Sequence, residues 1–263
     1  MHWSEHADSQ FGIRLNARQL EAFDWYAAEL QTWNQRFNLT SVTELNQIEI
    51  KHFLDSLSCL SAMHPRPGER IVDIGTGAGF PGIPIRIACP QVNMVLVESI
   101  GKKAQFCQHV VDQLELTNVV VINSRAEQVG RRPEHRESFD WALARAVAKL
   151  PTLLEYLLPL VKVDGGAIAQ KGDTAPAEAQ SAEAALEVLG GELEEIIPVE
   201  LPSVTETRHL VVVRKIAATP ERYPRRAGIP GKRPLQTAKG DHEAFDRAMD
   251  KVADVDPDEG DEL

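Results

Sequence analysis

Cysteine is scarce in this 263-residue chain, with only Cys59, Cys89 and Cys107, far apart and without a Cys-x-x-Cys pair. That excludes a disulfide framework and leaves three small apolar side chains suited to a reducing compartment. No run approaches the ~18 successive apolar residues of a membrane span, and the opening MHWSEHADSQFGIRL carries charges where a secretory leader needs an apolar stretch. The expectation is a cytosolic, non-membrane protein. No internal repeat of useful length is present. Basic residues are in deficit, 28 against 39 acidic for a net charge of −11, which on its face argues against a polyanionic partner. The sum conceals a split: residues 219–240 carry +5, whereas residues 241–263 carry −8. Nucleic-acid binding stays open, because a phosphate contact answers to local potential.

What is present is a globular composition, 43% apolar and 25% charged, long enough for one main domain with extensions. Between Leu15 and Phe37 the residues Leu20, Phe23, Tyr26, Leu30 and Trp33 fall at helical spacing, and a second amphipathic stretch covers Asn46 to Met63. Residues 1–64 therefore read as a helical cap. After the breaker cluster His64-Pro-Arg-Pro-Gly68 the pattern changes to short apolar runs alternating with helical stretches. Strand candidates are Arg70 to Ile74, Met94 to Val97, Val119 to Ile122, Phe139 to Ala144, Ala167 to Gln170, Leu193 to Val199 and His209 to Lys215. Helix candidates are Gly82 to Ala88, Lys102 to Leu114, Pro151 to Val161 and Pro176 to Leu189. Alternation of this kind predicts an α/β core over residues 65–218, a mostly parallel seven-stranded sheet with helices on both faces, ending in an antiparallel hairpin. Residues 219–240 form a basic, Pro-rich segment that resists helix and sheet, and residues 241–263 an acidic tail expected to be disordered.

The most informative stretch is IVDIGTGAGFPGIPI, Ile71 to Ile85. A strand ends at Ile74, and Gly75-x-Gly77-x-Gly79 turns the chain tightly enough for backbone to approach a ligand. Gly77-x-Gly79-x-x-Gly82 also satisfies the dinucleotide fingerprint, but Gly75 holds the strand-end position and the sixth residue from it is Phe80, not glycine. Asp73, just before the loop, suits a ligand with a cationic amino group better than a diphosphate. Both features point to S-adenosylmethionine. Glu98 ends the second strand at the distance where a carboxylate reaches ribose hydroxyls. A glycine-rich turn without a ligand is the plainer alternative.

The series WNQRFNLTSVTE, HFLDSL, VDIGTGAGFPGIPI, ESIGKKAQF, NSRAE, FDWALARAVAKL, AQKG, TRHLVVVRK and RYPRRAGIPGKRPL, in order from Trp33 to Leu235, resembles the ribosomal small-subunit methyltransferase G proteins, also called GidB. The resemblance implies a Rossmann-like enzyme that moves a methyl group from S-adenosylmethionine to N7 of a guanine in 16S rRNA, guanine 527 by ribosomal numbering. It implies cofactor contacts at Gly75, Gly77, Phe80, Glu98, Ala126, Glu127 and Arg145. It marks Arg145 as the catalytic candidate and Lys102, Arg125, Lys171, Arg208, Arg225 and Arg226 as RNA contacts. Asn38, His52, Asp55 and His209 match the family pattern without an evident chemical role. The substrate is 16S rRNA or the assembled small subunit, and the protein is expected to act as a monomer without a metal.

The chemistry fits the residues. Guanine N7 has an in-plane lone pair and no proton, so no base is required and alignment supplies most of the catalysis. After the fourth strand stands Leu143-Ala-Arg145-Ala-Val147, not the Asn/Asp-Pro-Pro-aromatic motif that grips exocyclic amines. Cys89 and Cys107 are placed as core residues, not as cytosine-C5 nucleophiles. Arg145 is expected to hold a phosphate or guanine O6, or to order the cofactor. A methyltransferase for a small molecule or protein, and a module that binds without transferring, remain alternatives.

Overall fold

The computed structural model describes residues 2–235, so the acidic tail and the last residues of the basic segment lie outside the described residues. Its chain begins with helices α1 (Trp3–Phe11) and α2 (Ala17–Phe37). Asn16 starts α2 with a reciprocal cap, its side chain accepting from Gln19 N at 3.0 Å while Gln19 Oε1 accepts from Asn16 N at 2.9 Å. Helix α1 escapes the periodicity because it buries only Trp3 and Ala7, one turn apart.

The predicted second cap helix is a composite. It runs as α3 (Leu45–Ile48), a π-helical turn over Glu49–Leu54, α4 (Asp55–Leu57) and a 3₁₀ turn over Ser58–Ser61. The widened π turn leaves the Lys51 carbonyl free to accept from Arg145 Nη1 at 3.0 Å.

The core alternates as expected: β1 (Arg70–Ile74), α5 (Gly82–Ala88), β2 (Asn93–Glu98), α6 (Gly101–Gln113), β3 (Val119–Asn123), α7 (Ala126–Val129), β4 (Phe139–Arg145), α8 (Leu150–Leu157) and β5 (Val161–Lys171). Then come α9 (Ala175–Gln180), α10 (Glu183–Leu189), β6 (Gly191–Val199), β7 (Arg208–Lys215) and a single turn α11 (Ile229–Lys232). The one helix expected over Pro176 to Leu189 is broken where Ser181 Oγ donates to the Glu178 carbonyl at 2.8 Å.

The sheet order is β3-β2-β1-β4-β5-β7-β6, and every pairing is parallel except those of β7. The final hairpin is present, with β7 inserted between β5 and β6. The order reverses between β1 and β4, which puts the topological switch, where open α/β sheets bind ligands, at the carboxyl ends of these two strands.

Period-two alternation sends Ile71, Met94, Leu96 and Leu143 to one face of the sheet and Val72, Val95, Val97 and Ala142 to the other. The first face is covered by α5, α6 and the cap, whose Phe23, Tyr26, Leu30 and Phe53 join the same buried cluster. The second is covered by α8, α9 and α10.

The basic, Pro-rich segment lies along this second face. Tyr223 is buried there, Arg136 donates to the carbonyls of Thr219 and Tyr223 at 2.6 and 2.7 Å, and Gly228 N donates to Glu127 Oε1 at 2.8 Å. Arg225, expected to clamp RNA, turns inward instead. Its backbone N, Nε and Nη2 all donate to Glu155, at 2.6 to 3.1 Å, and Glu155 is wholly buried. The cause is the carboxylate on α8, which has no other cation among the described residues.

The pair is asymmetric. Arg225→Ala leaves a buried unpaired carboxylate and is expected to cost ~3 kcal/mol in urea unfolding, whereas Glu155→Gln lets the guanidinium swing to water at a smaller cost. The double variant should be more stable than Arg225→Ala alone. A double variant no better than the arginine variant would show that the charge is not what matters.

Candidate active site

The loop after β1 is shaped from beneath and from the side. Gly75 and Thr76 both donate backbone N–H groups to the Val97 carbonyl, at 2.8 and 3.1 Å, which ties the loop to the end of β2. Gly75, Gly77 and Gly79 all have positive φ, at 67°, 62° and 103°. Gly75 admits no side chain, because a Cβ there would lie 2.6 Å from Val147 Cγ2. Over Gly77 there is open space, where a Cβ would meet nothing closer than the Gly75 carbonyl at 4.0 Å.

Two carboxylates hold these amides. Glu98 accepts from Gly77 N at 2.9 Å through Oε2 and from Ile100 N at 2.7 Å through Oε1. Asp73 Oδ2 accepts from Thr76 Oγ1 at 2.6 Å and from Gly82 N at 2.8 Å. Asp73 is fully buried, so it props the loop from below and does not reach a ligand's amino group, which corrects the expectation. Burial, against the bonds from Thr76 and Gly82, pushes its carboxyl up to about 6, and its Oδ1 has no partner among the described residues. The cap contributes Tyr26, whose hydroxyl donates to the Ala78 carbonyl at 2.5 Å.

Two spaces flank the strand ends. The larger is a cleft of about 460 Å³ bounded by Gly75, Arg125, Ala126, Glu127, Val147 and Thr152, with Gly231 and Pro234 of the C-terminal segment on its rim. Of the expected cofactor residues it brings together Gly75, Ala126 and Glu127. Glu127 is buried with Oε1 on Gly228 N, so the residue beside the cleft also anchors the segment that closes it.

Gly77 and Glu98 meet each other but do not wall this cleft, and neither does Phe80. Phe80 is buried under the cap, stacked between His52 at 4.5 Å and Tyr26 at 5.4 Å. No motif or spacing pointed to Thr152, Tyr156 and Lys149, which line the cleft from α8 and the loop before it.

The second space, about 240 Å³, lies beside the ends of β4 and β5 and is walled by Asp55, Arg145, Gln170, Lys171 and Arg208. Arg145 belongs here and not to the cleft. Its Nη1 donates to Asp55 Oδ2 at 2.7 Å, its Nη2 lies 3.2 Å from His52 Nδ1, and its guanidinium sits 5.0 Å over the Phe80 ring. Burial and the adjacent Arg145 push His52 down to about 3, so the imidazole is neutral; its Nδ1 lies 3.1 Å from the Lys51 carbonyl as well as beside Arg145, and its Nε2 lies 2.8 Å from Thr40 Oγ1. His52 and Asp55, which had no assigned role, are thus the partners that orient Arg145.

Lys171 is likewise held, at 2.7 Å from Glu178 and 2.5 Å from the Ala148 carbonyl. Lys102, Arg125 and Arg226 are exposed on the surface, and Arg208 is partly so.

A family model for rRNA small subunit methyltransferase G matches residues 19–211. The chain belongs to that family. It is 50% identical over 227 residues to the ribosomal RNA small subunit methyltransferase G of Roseiflexus castenholzii, covering 86% of this chain and 96% of that one. It is 45% identical over 229 residues to the protein of the same name in Desulforamulus reducens, covering 87% and 95%. Among solved structures the [4+2]-cyclase SpnF superimposes with a TM-score of 0.51 at 13% identity, over 63% of this chain and 82% of that one, a likeness of fold alone. By family and fold the protein is a methyltransferase with the Rossmann-like architecture expected from its strand pattern.

The cleft suits the adenosyl cofactor expected from the sequence. It offers the bare backbone of Gly75, apolar walls at Ile74, Val97 and Ala126, and hydroxyls at Ser99, Ser124 and Thr152. The buried Asp73 carries a sign-definite consequence for stability. With a folded value near 6 against 3.8 for the free group, it contributes stability that is present below pH ~4 and lost as pH rises through ~6, on the order of 3 kcal/mol at most. Asp73→Asn keeps one acceptor for Gly82 N and places an uncharged donor at the orphaned position. Urea unfolding of this variant should lose the fall in stability between pH 4 and 6 that the parent shows; a parent without that fall would overturn the assignment.

Proposed function

We propose that the protein transfers a methyl group from S-adenosylmethionine to N7 of a guanine in 16S rRNA, acting on the RNA or on the assembled small subunit. The observation that carries this reading is the cleft at the switch point, bounded by the glycine loop at Gly75 and by Ala126 and Glu127, in a chain of the rRNA small subunit methyltransferase G family. When bound, S-adenosylmethionine supplies an electrophilic methyl group on a sulfonium sulfur.

The protein's part is positional. Gly75 lets the cofactor lie against the loop, whose next glycine, Gly77, is fixed by Glu98, and Ala126 and Glu127 flank it after β3. Arg145, oriented by Asp55 and His52, acts from the neighbouring pocket on the incoming base. N7 attacks with its own lone pair, so no residue has to remove a proton, and the neutral His52 is not needed as a base. The exposed cations Lys102, Arg125 and Arg226, with the partly exposed Arg208, form the surface that meets the RNA backbone, whereas Arg225 and Lys171 serve it indirectly through the elements they fix.

Labelled cofactor incubated with small subunits should leave label in RNA at N7 of one guanine, read by m7G-specific cleavage and primer extension. Label confined to protein or to a small molecule would end the proposal. Gly75→Ala, which must hold a left-handed backbone and press on Val147, should melt below the parent and, at a temperature where it is folded, bind S-adenosylhomocysteine ~10-fold or more weakly by calorimetry. Unchanged affinity would place the cofactor elsewhere.

A further inference from the structure

The pocket beside Arg145 is separated from the cleft by very little chain. Ala146 walls the pocket and the next residue, Val147, walls the cleft. Its chemistry is unusual in what it leaves unpaired. Asp55 is 5% exposed, and only its Oδ2 is engaged, by Arg145. Oδ1 has no hydrogen-bond partner among the described residues, yet it is not among the sealed, unsatisfied atoms, so it keeps access to the pocket that Asp55 lines.

Gln170, on the same wall, donates through Nε2 to the Asp55 carbonyl at 2.6 Å and leaves Oε1 buried without a partner. Arg145 engages both terminal nitrogens and keeps its Nε proton uncommitted among the described residues. Gln170 Oε1 is sealed off, so the groups left for a ligand are the Asp55 Oδ1 oxygen, which lacks a donor, and the Arg145 Nε proton, which lacks an acceptor.

The ligand edge that answers this set has adjacent N–H donors next to a carbonyl oxygen. Guanine presents that edge, with N1–H and the 2-amino group beside O6, whereas adenine presents a bare N1 lone pair toward the carboxylate and an amino group toward the guanidinium. We propose that Asp55 is the residue that selects guanine, its Oδ1 accepting from N1–H and the 2-amino group of the target base seated in this pocket. Arg145 Nε donates to O6. The geometry of the base then matters: N7 lies on the edge away from N1 and the 2-amino group, so gripping the latter leaves the nucleophilic lone pair free. A carboxylate charge buried this deeply gains most from a donor pair that water cannot easily replace, which is how a polar site rejects an analogue lacking one group.

This assignment rests on the guanine-N7 reading above, and its test separates the two. Small subunits reconstituted with inosine at the target position lack the 2-amino group but keep N1–H, O6 and N7. The parent protein should lose ~10-fold or more in kcat/KM on passing from guanine to inosine subunits. Asp55→Asn, slower on both, should lose less than ~3-fold on the same exchange, because the group that senses the amino function is gone.

If Asp55 only props Arg145, the variant slows equally on both subunits and keeps the parent's ratio, and the assignment falls while the transferase reading stands. If the parent places no methyl on guanine N7, that reading falls and the assignment with it. Melting and S-adenosylhomocysteine affinity report whether Asp55→Asn is folded. Should it not fold, the parent's own ratio decides, since inosine subunits methylated as fast as guanine ones overturn the assignment.

Discussion

A loop made of alternate glycines has no side chains with which to hold a shape, and its shape must be imposed by its neighbours. In this protein two carboxylates impose it. Glu98, from the end of β2, takes the amide of Gly77, and Asp73, from β1, takes the amide of Gly82 and the hydroxyl of Thr76. Tyr26 reaches from the cap to the carbonyl between them. Both carboxylates are almost fully buried, and the bonds they accept from backbone amides offset part of the desolvation. Remove this frame and the turn reverts to the broad conformational freedom of glycine, and with it go the cleft floor and the position of α5.

The same principle, charge used inside instead of displayed, runs through the rest of the molecule. The chain is acidic overall, and several of its cations are held by internal carboxylates: Arg145 by Asp55, Lys171 by Glu178, Arg225 by Glu155. The first and last of these pairs join elements distant in sequence. Arg145 ties the sheet to the cap, and Arg225 ties the C-terminal segment to α8. The positive potential available to a polyanion therefore comes from fewer residues than the count of basic side chains suggests, chiefly those on exposed turns such as Arg125 and Arg226.

Fold was largely legible in the sequence because it depends on patterns that the chain carries locally. Strands such as Val119 to Ile122 and helices such as Gly82 to Ala88 announce themselves by period, and the glycines after Ile74 by their spacing. The interruptions were not legible. The π turn at Glu49–Leu54 and the break before α10 are set by bonds to Arg145 and by a serine hydroxyl, which periodicity does not register. In the site, the glycine loop was readable from its spacing and Ala126 and Glu127 only through the family resemblance, while the fate of Arg145, Phe80 and Arg225 was not readable. A basic residue in a Pro-rich stretch looks solvent-facing until the buried carboxylate it meets, 70 residues earlier, is seen beside it.

The rim formed by Gly231 and Pro234 faces a floor at Gly75, roughly 150 positions upstream. A site assembled from parts so remote has a high contact order, and loop-closure entropy must be met before its last wall gains anything from docking. In chain order β1 to β4 have all their partners by the end of β5, well before the segment that hangs on Glu127 and Glu155. The cleft is thus the last part of the described fold whose walls can all be in place, after the sheet on which it stands.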